Sequence, residues 1–438
     1  MLEFGVEWED AGSWVRSPTL AATWGKLEIR AGGQLVTRFW SAPGNTVRSG
    51  IYASAFPLAA WIVRNWWNLL HERLPAPEVL RGARHAPVTH RAWLGRHNLV
   101  FSREGMAYPD LAIYREDESV GLRWVPDPGA GAVTTPGRFL SGGFLRLAVP
   151  HAEAAMAQLV DAVVDRLDGL EDRESIQLRE DWRAVQQSTS SEAALCARLG
   201  ALGMDPYGAS NDPALEEALD AEDLEAPLLG DLLAATSPSR FHEDLDEVRL
   251  FLKQMGGADP HHGAATTPSW SSEVIDPLPY RAGYQRAEDL RRKLHLDPFS
   301  TEGRDPTSIA KAMYGGFETS EVPSKNARRV EAVVARNGKL AVTTEARAPL
   351  GARFLRARAL HHWLFVDMTA SGRRLLTRAN DWQQAASRAF AAELLAPAVV
   401  LAKRLDGRTD WDADGELAAE LNVHPTVIAR QLENHGLS

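Results

Sequence analysis

Two histidines, His361 and His362, stand side by side in a segment, residues 352–365, where Leu360 and Leu364 sit one helical turn apart. Zinc chemistry on a helix needs two imidazoles at i and i+4, one above the other on one face. A carboxylate between them activates the metal-bound water. Four residues before His362 the chain has Arg358, and Ala359 follows it. An Arg offers no lone pair to a metal, and an Ala offers no base. A catalytic zinc needs three protein ligands, and His361 and Asp381 are the nearby substitutes. A site rearranged around His361, His362 and Asp381 would still lack a general base. The competing reading is a pair of satisfied core or surface histidines. Arg358 has a constructive reading of its own. Its fixed positive charge could fill the space of a metal and pair with a carboxylate such as Asp381, holding a cleft shut or holding a ligand.

A second stretch, residues 387–397, reads S-R-A-F-A-A-E-L-L-A-P. Together the two stretches resemble the core of the ImmA/IrrE family of small zinc metallopeptidases. In that family a helix reading R-F-x-x-A-H-E-x-x-H is followed, one helix later, by F-A-A-E-L-L-x-P. On this pattern Arg358 stands for the first His, Ala359 for the Glu and His362 for the second His. The family's acidic third ligand falls at Gln384 or Ala386, neither of which suits zinc. The resemblance implies a zincin-like peptidase fold without peptidase machinery and with no cofactor. Active members cleave repressors that control mobile elements or stress responses. The implied role is therefore a bacterial, catalytically inactive, protein-binding or regulatory module, around a repressor, a mobile element or phage defence. An active zinc metallopeptidase with unconventional ligands is the alternative.

The tail, residues 416–432, looks like a helix-turn-helix. Ala418, Asn422 and Ile428 fall where that motif wants a small residue, a turn residue and a β-branched core residue. A DNA-binding regulator would lay the second helix in the major groove, with Arg430 against phosphate. Glu433 follows it, so structural packing of the helix pair competes with DNA binding. The family carries helical pairs of this shape after its peptidase core.

The formal net charge of −10 argues against a mainly nucleic-acid-binding surface, and a single cysteine, Cys196, excludes an internal disulfide framework. No apolar N-terminal stretch follows a basic segment, and no apolar run reaches ~18 residues, so a cytoplasmic protein with no membrane partner is expected.

Along the chain, Lys26, Glu28 and Arg30 alternate with Leu27 and Ile29. Residues 31–34 are turn chemistry and 35–40 supply a returning strand, so a hairpin is expected. Pro57 opens a helix through Leu74, with Leu58, Trp61, Ile62, Trp66, Leu69 and Leu70 at helical spacing. Its rings suit a domain core, with an aromatic ligand-binding face as the alternative. Strands are expected at 111–114, 120–125 and 144–149, and a helix from Pro150 to about Leu167. From 175 to 254 the pattern turns helical, with Gly200 as a C-cap. Acids including Glu216, Glu217, Asp220, Glu243, Asp244, Asp246 and Glu247 make a solvated face, or a docking surface for a basic partner. Residues 256–277 read as a linker, with His261 and His262 on its surface. Helices at 287–294 and 306–313 follow, then a hairpin of 330–335 and 339–343 around Asn337-Gly338. The expected fold class is α+β. A strand-rich domain (1–170) holds the Trp-rich helix, an acidic helical region (171–255) and the linker follow, and an ImmA/IrrE-like domain (278–438) closes the chain with helix-turn-helix-like helices.

Overall fold

The computed structural model of the chain describes residues 1–438 apart from 14, 130–136, 209–211, 221–223, 256–277, 315, 317, 323–328, 336–338, 344–348, 367–371, 406–412 and 438. The fold is mixed α+β and divides into two compact units, Met1–Ala221 and Glu222–Ser438. The boundary falls inside the stretch expected as one acidic region. Helices before it pack on the first core, and those after it pack on the second unit's sheet. The linker and its two histidines lie outside the described residues.

In the first unit, β1 (Leu2–Trp8) and α1 (Pro18–Ala22) lead to β2 (Trp24–Ala31), the centre of a four-stranded antiparallel sheet. Its partners are β1 on one side, and β3 (Gln34–Leu35) with a later strand on the other. The expected return strand stops after two residues. The Thr37 hydroxyl accepts from the Ile29 N–H (3.0 Å) and donates to the Ser49 carbonyl (2.9 Å), replacing the ladder. The chain then makes β4 (Phe39–Ser41) and β5 (Thr46–Arg48), which belong to a separate small sheet, before β6 (Ile51–Ser54) returns to β2.

The single helix expected to reach Leu74 is two helices, α2 (Phe56–Arg64) and α3 (Trp66–His71). They break at Asn65, whose side-chain amide donates to the Trp61 carbonyl (2.8 Å) and so competes with the helical ladder. The apolar stripe from Leu58 to Leu70 is buried, and Trp66 meets Trp182 edge-on at 4.9 Å, so these rings are core. The unit continues with α4 (Arg91–His97), β7 (Asp110–Glu116), β8 (Ser119–Val125), β9 (Gly137–Phe139), β10 (Gly143–Ala148), α5 (Val149–Arg166), α6 (Arg173–Gln187), α7 (Ser190–Ala201) and α8 (Pro213–Asp220). Gly200 lies inside α7 rather than capping it, because the Trp67 backbone packs where a Cβ would be.

The second unit opens with α9 (Ala226–Ala235), α10 (Phe241–Gln254), α11 (Pro279–Lys293) and α12 (Pro306–Tyr314). Asp244 and Glu247, expected on a solvated face, are buried, and Asp244 accepts from the Thr236 hydroxyl at 2.6 Å. Then come β11 (Glu318–Val322), β12 (Val330–Ala335), β13 (Lys339–Thr343), α13 (Pro349–Phe365), β14 (Arg373–Thr377), α14 (Trp382–Leu395), α15 (Ala398–Leu405), α16 (Ala413–Leu421) and α17 (Pro425–His435). The sheet order is β11-β13-β12-β14, with β11 parallel to β13 and the other pairs antiparallel. The expected β12–β13 hairpin is present, and its Asn337-Gly338 turn lies outside the described residues. Helices α10 and α13 both lie against β12, which is buried along its length. α11 crosses α14 so closely that a Cβ on Gly283 would collide with the Ala386 carbonyl oxygen. No single helix among the described residues is long and apolar enough to cross a membrane.

Candidate functional site

Arg358 lies in the middle of α13, 3% exposed, where nearly every neighbouring side chain is buried. A buried guanidinium requires a counter-charge and acceptors for its N–H groups. Glu331 of β12 supplies the charge through Nη1. Nε donates to the Ser387 hydroxyl at 3.1 Å. Nη2 donates to the Thr377 carbonyl at 2.8 Å and to Gln384 Oε1 at 2.6 Å. Four segments, β12, α13, the end of β14 and α14, therefore converge on one cation.

Glu331 reaches Arg358 because β12 is irregular at this point. Val330 pairs with Thr377 and Ala332 with Leu376, so the register shifts across Glu331 and takes it out of the ladder. Such a bulge re-aims a side chain. Its other carboxylate oxygen meets Arg378 at 3.2 Å.

Asp381, offered above as the carboxylate for Arg358, caps α14 by accepting from the Gln384 N–H at 2.9 Å. Gln384 comes to the site, and its amide also donates to the Leu375 carbonyl (2.8 Å). Ala386 is enclosed where α11 crosses α14, and Ala359 is enclosed in the apolar core, so neither offers a reacting group.

His361 and His362 are fully enclosed. The Nε2 of His361 lies 2.9 Å from Arg286 Nη1. A guanidinium can only donate, so Nε2 accepts, and the proton is assigned to Nδ1, which has no hydrogen-bond partner among the described residues. Arg286 lies over the rings of Phe365 (5.3 Å) and Trp382 (5.0 Å). His362 Nδ1 is 3.2 Å from the Arg358 carbonyl and donates to it. Burial first, then the Arg358 charge, lowers the His362 pKa to about 3. Burial and then Arg286 hold His361 well below the usual imidazole range.

Both imidazoles are therefore neutral in the fold and take up protons on unfolding below their ordinary pKa. Their contribution to stability is complete above about pH 6.5 and is lost as pH falls below it, for His362 down to about pH 3. Each contributes a slope of up to about 1.4 kcal/mol per pH unit in that window. In urea titrations between these limits, His362→Met is expected to lose one proton's worth of slope, while the native chain keeps both.

This donor set does not fit zinc. The Glu331 carboxylate, Gln384 Oε1, the Thr377 carbonyl and the Ser387 hydroxyl all accept from a guanidinium that has no lone pair for a metal, and the His361 Nε2 lone pair is taken by Arg286. Among the described residues no three His, Cys, Asp or Glu side chains group as a metal site. The arrangement can hold elements together and can neutralise a carboxylate.

Sequence reasoning passed over Glu331, Thr377 and Arg286. A lone acid inside the apolar run V-E-A-V-V-A was the available signal for Glu331.

At the tail, α16 and α17 form a helix pair. Asn422 turns between them in a left-handed conformation (φ 53°) and His424 caps α17. Ile428 and Leu432 are buried, whereas Arg430 is exposed and pairs with Glu433 at 3.1 Å.

Set against protein-family models, curated proteins and solved structures, the chain matches none.

Proposed function

We propose that residues 278–438 form an ImmA/IrrE-like, zincin-like domain that has exchanged its metal for a buried ion pair. The protein then acts as a catalytically inactive, protein-binding or regulatory module in the bacterial cytoplasm, with a repressor or another basic protein as partner. The observation that carries this reading is the Arg358 network. Arg358 and Gln384, standing at two ligand positions of the family motif, touch each other, and His362 lies one turn from Arg358. A cation is still held between the same helices, but it is a guanidinium, permanently charged and unable to activate water. Among the exposed acids that could meet a basic partner are Glu217 and Asp220 on α8 and Glu243 and Asp246 on α10.

Metal content by elemental mass spectrometry tests the reading. The native chain and His362→Ala are both expected to carry less than about a tenth of a zinc per chain. About one zinc per chain, lost with His362, would overturn it in favour of an active metallopeptidase.

A further inference from the structure

A cavity of about 450 Å³ opens in the second unit beside the C-terminal half of α11, apart from the Arg358 network. Glu288, Arg291, Arg292 and His295 line it, spaced at i, i+3, i+4 and i+7, which places them along one side of the chain as α11 ends. Leu296, Pro298 and Val399 supply apolar wall.

Arg291 is the fixed part of this wall. It is 7% exposed, and Glu393 of α14 takes one of its N–H groups on the carboxylate (2.6 Å) and another on the backbone carbonyl (2.8 Å). A guanidinium has five N–H donors, and Glu393 uses two of them. Glu393 is held by other donors as well. It accepts from the Ala398 N–H (3.2 Å) and the Gln431 amide (2.8 Å), which fix the carboxylate that orients Arg291. Arg292 is exposed and meets Asp289 at 2.9 Å, a surface pair too weak to tie it down. Glu288 is exposed and makes no ion pair among the described residues.

With Arg291 balanced by Glu393, the charges left for a ligand are Arg292 and Glu288, one helical turn apart. A simple anion would meet no net positive charge here. A molecule that carries both signs close together, and an apolar group for Leu296, Pro298 and Val399, would meet these charges and the apolar wall. Cavities of this size hold small molecules.

We propose that this cavity binds a free α-amino acid with an apolar side chain. Its carboxylate lies on Arg291 and Arg292, its ammonium group on Glu288, and its side chain on the apolar wall. The inference does not depend on the peptidase-like reading above.

The test is calorimetric titration of the full chain with L-leucine, L-methionine and L-phenylalanine. 4-Methylpentanoate and isoamylamine, which each keep one charge of leucine, serve as probes of the two halves. At least one amino acid is expected to bind saturably, with both single-charge probes about tenfold weaker or worse. Arg292→Ala is expected to weaken the amino acid about tenfold. Glu288→Gln is expected to erase its advantage over 4-methylpentanoate. Both residues are exposed, so both variants should fold. Absence of saturable binding by all three amino acids, or equal affinity for leucine and 4-methylpentanoate, would overturn the proposal.

Discussion

Replacing Arg358 with Met is expected to destabilise the second unit by about 3–5 kcal/mol, a large share of the ~5–15 kcal/mol that ordinarily holds a domain folded. The loss is far larger than the contribution of the ion pair itself. Removing the guanidinium leaves Glu331, 6% exposed, as a buried carboxylate that faces the exposed Arg378 instead. It also takes an N–H away from the Thr377 carbonyl, the Ser387 hydroxyl and Gln384 Oε1. A double variant, Arg358→Met with Glu331→Leu, should recover most of the loss, because exchanging a whole buried pair for apolar groups of similar volume is close to neutral. Urea unfolding of the native chain, both single variants and the double variant gives the coupling directly. Near-additive losses would show that Arg358 and Glu331 do not act as a unit.

The second large effect is a gain. The variant Arg358→His with Gln384→Glu is expected to bind about one zinc per chain, where the native chain binds essentially none. Positions 358 and 384 already touch through their side chains, and His362 stands one turn from 358, so the backbone presents three ligands around one point. Glu331 would be left beside the introduced imidazole as the carboxylate that orients it on the metal. Ala359 is kept, since it is enclosed in the apolar core and a Glu there would have no room. A variant that folds, judged by circular dichroism, and stays free of zinc would count against the peptidase-like reading itself.

How legible this was in the sequence depended on how local the determining physics is. The β12–β13 hairpin, the start of α2 at Phe56-Pro57 and the Asn422 turn rest on turn chemistry and capping within a few residues, and their sequence letters carry it. The break at Asn65 was also local, but in an apolar repeat an Asn reads as one polar position rather than as a competitor for the Trp61 carbonyl. The failed return strand was harder to see. Thr37 diverts the hairpin through a bond to Ser49, and nothing in residues 35–40 announces it. Arg358 could be singled out as a charge needing a partner, yet the choice of acid could not. Asp381 is nearer along the chain, while Glu331 is the acid that meets it, across 27 residues and through a strand irregularity that breaks the alternation used to read strands. The cavity beside α11 was invisible for the same reason. Its fixed wall, Arg291 held by Glu393, spans 102 residues.

That long reach bears on the order in which the unit can be made. As the chain leaves the ribosome, Glu393 emerges long after Arg291 and 38 residues before Gln431. Burial raises the pKa of its carboxyl, with Arg291 pulling the other way. The site where four helices meet is therefore held by its earliest and its latest partner. Without α17 the carboxylate keeps its bonds from Arg291 and the Ala398 N–H and lacks the one from Gln431. A chain that ends before residues 425–435 would hold the Arg358 network and the sheet and still leave this buried carboxylate one donor short.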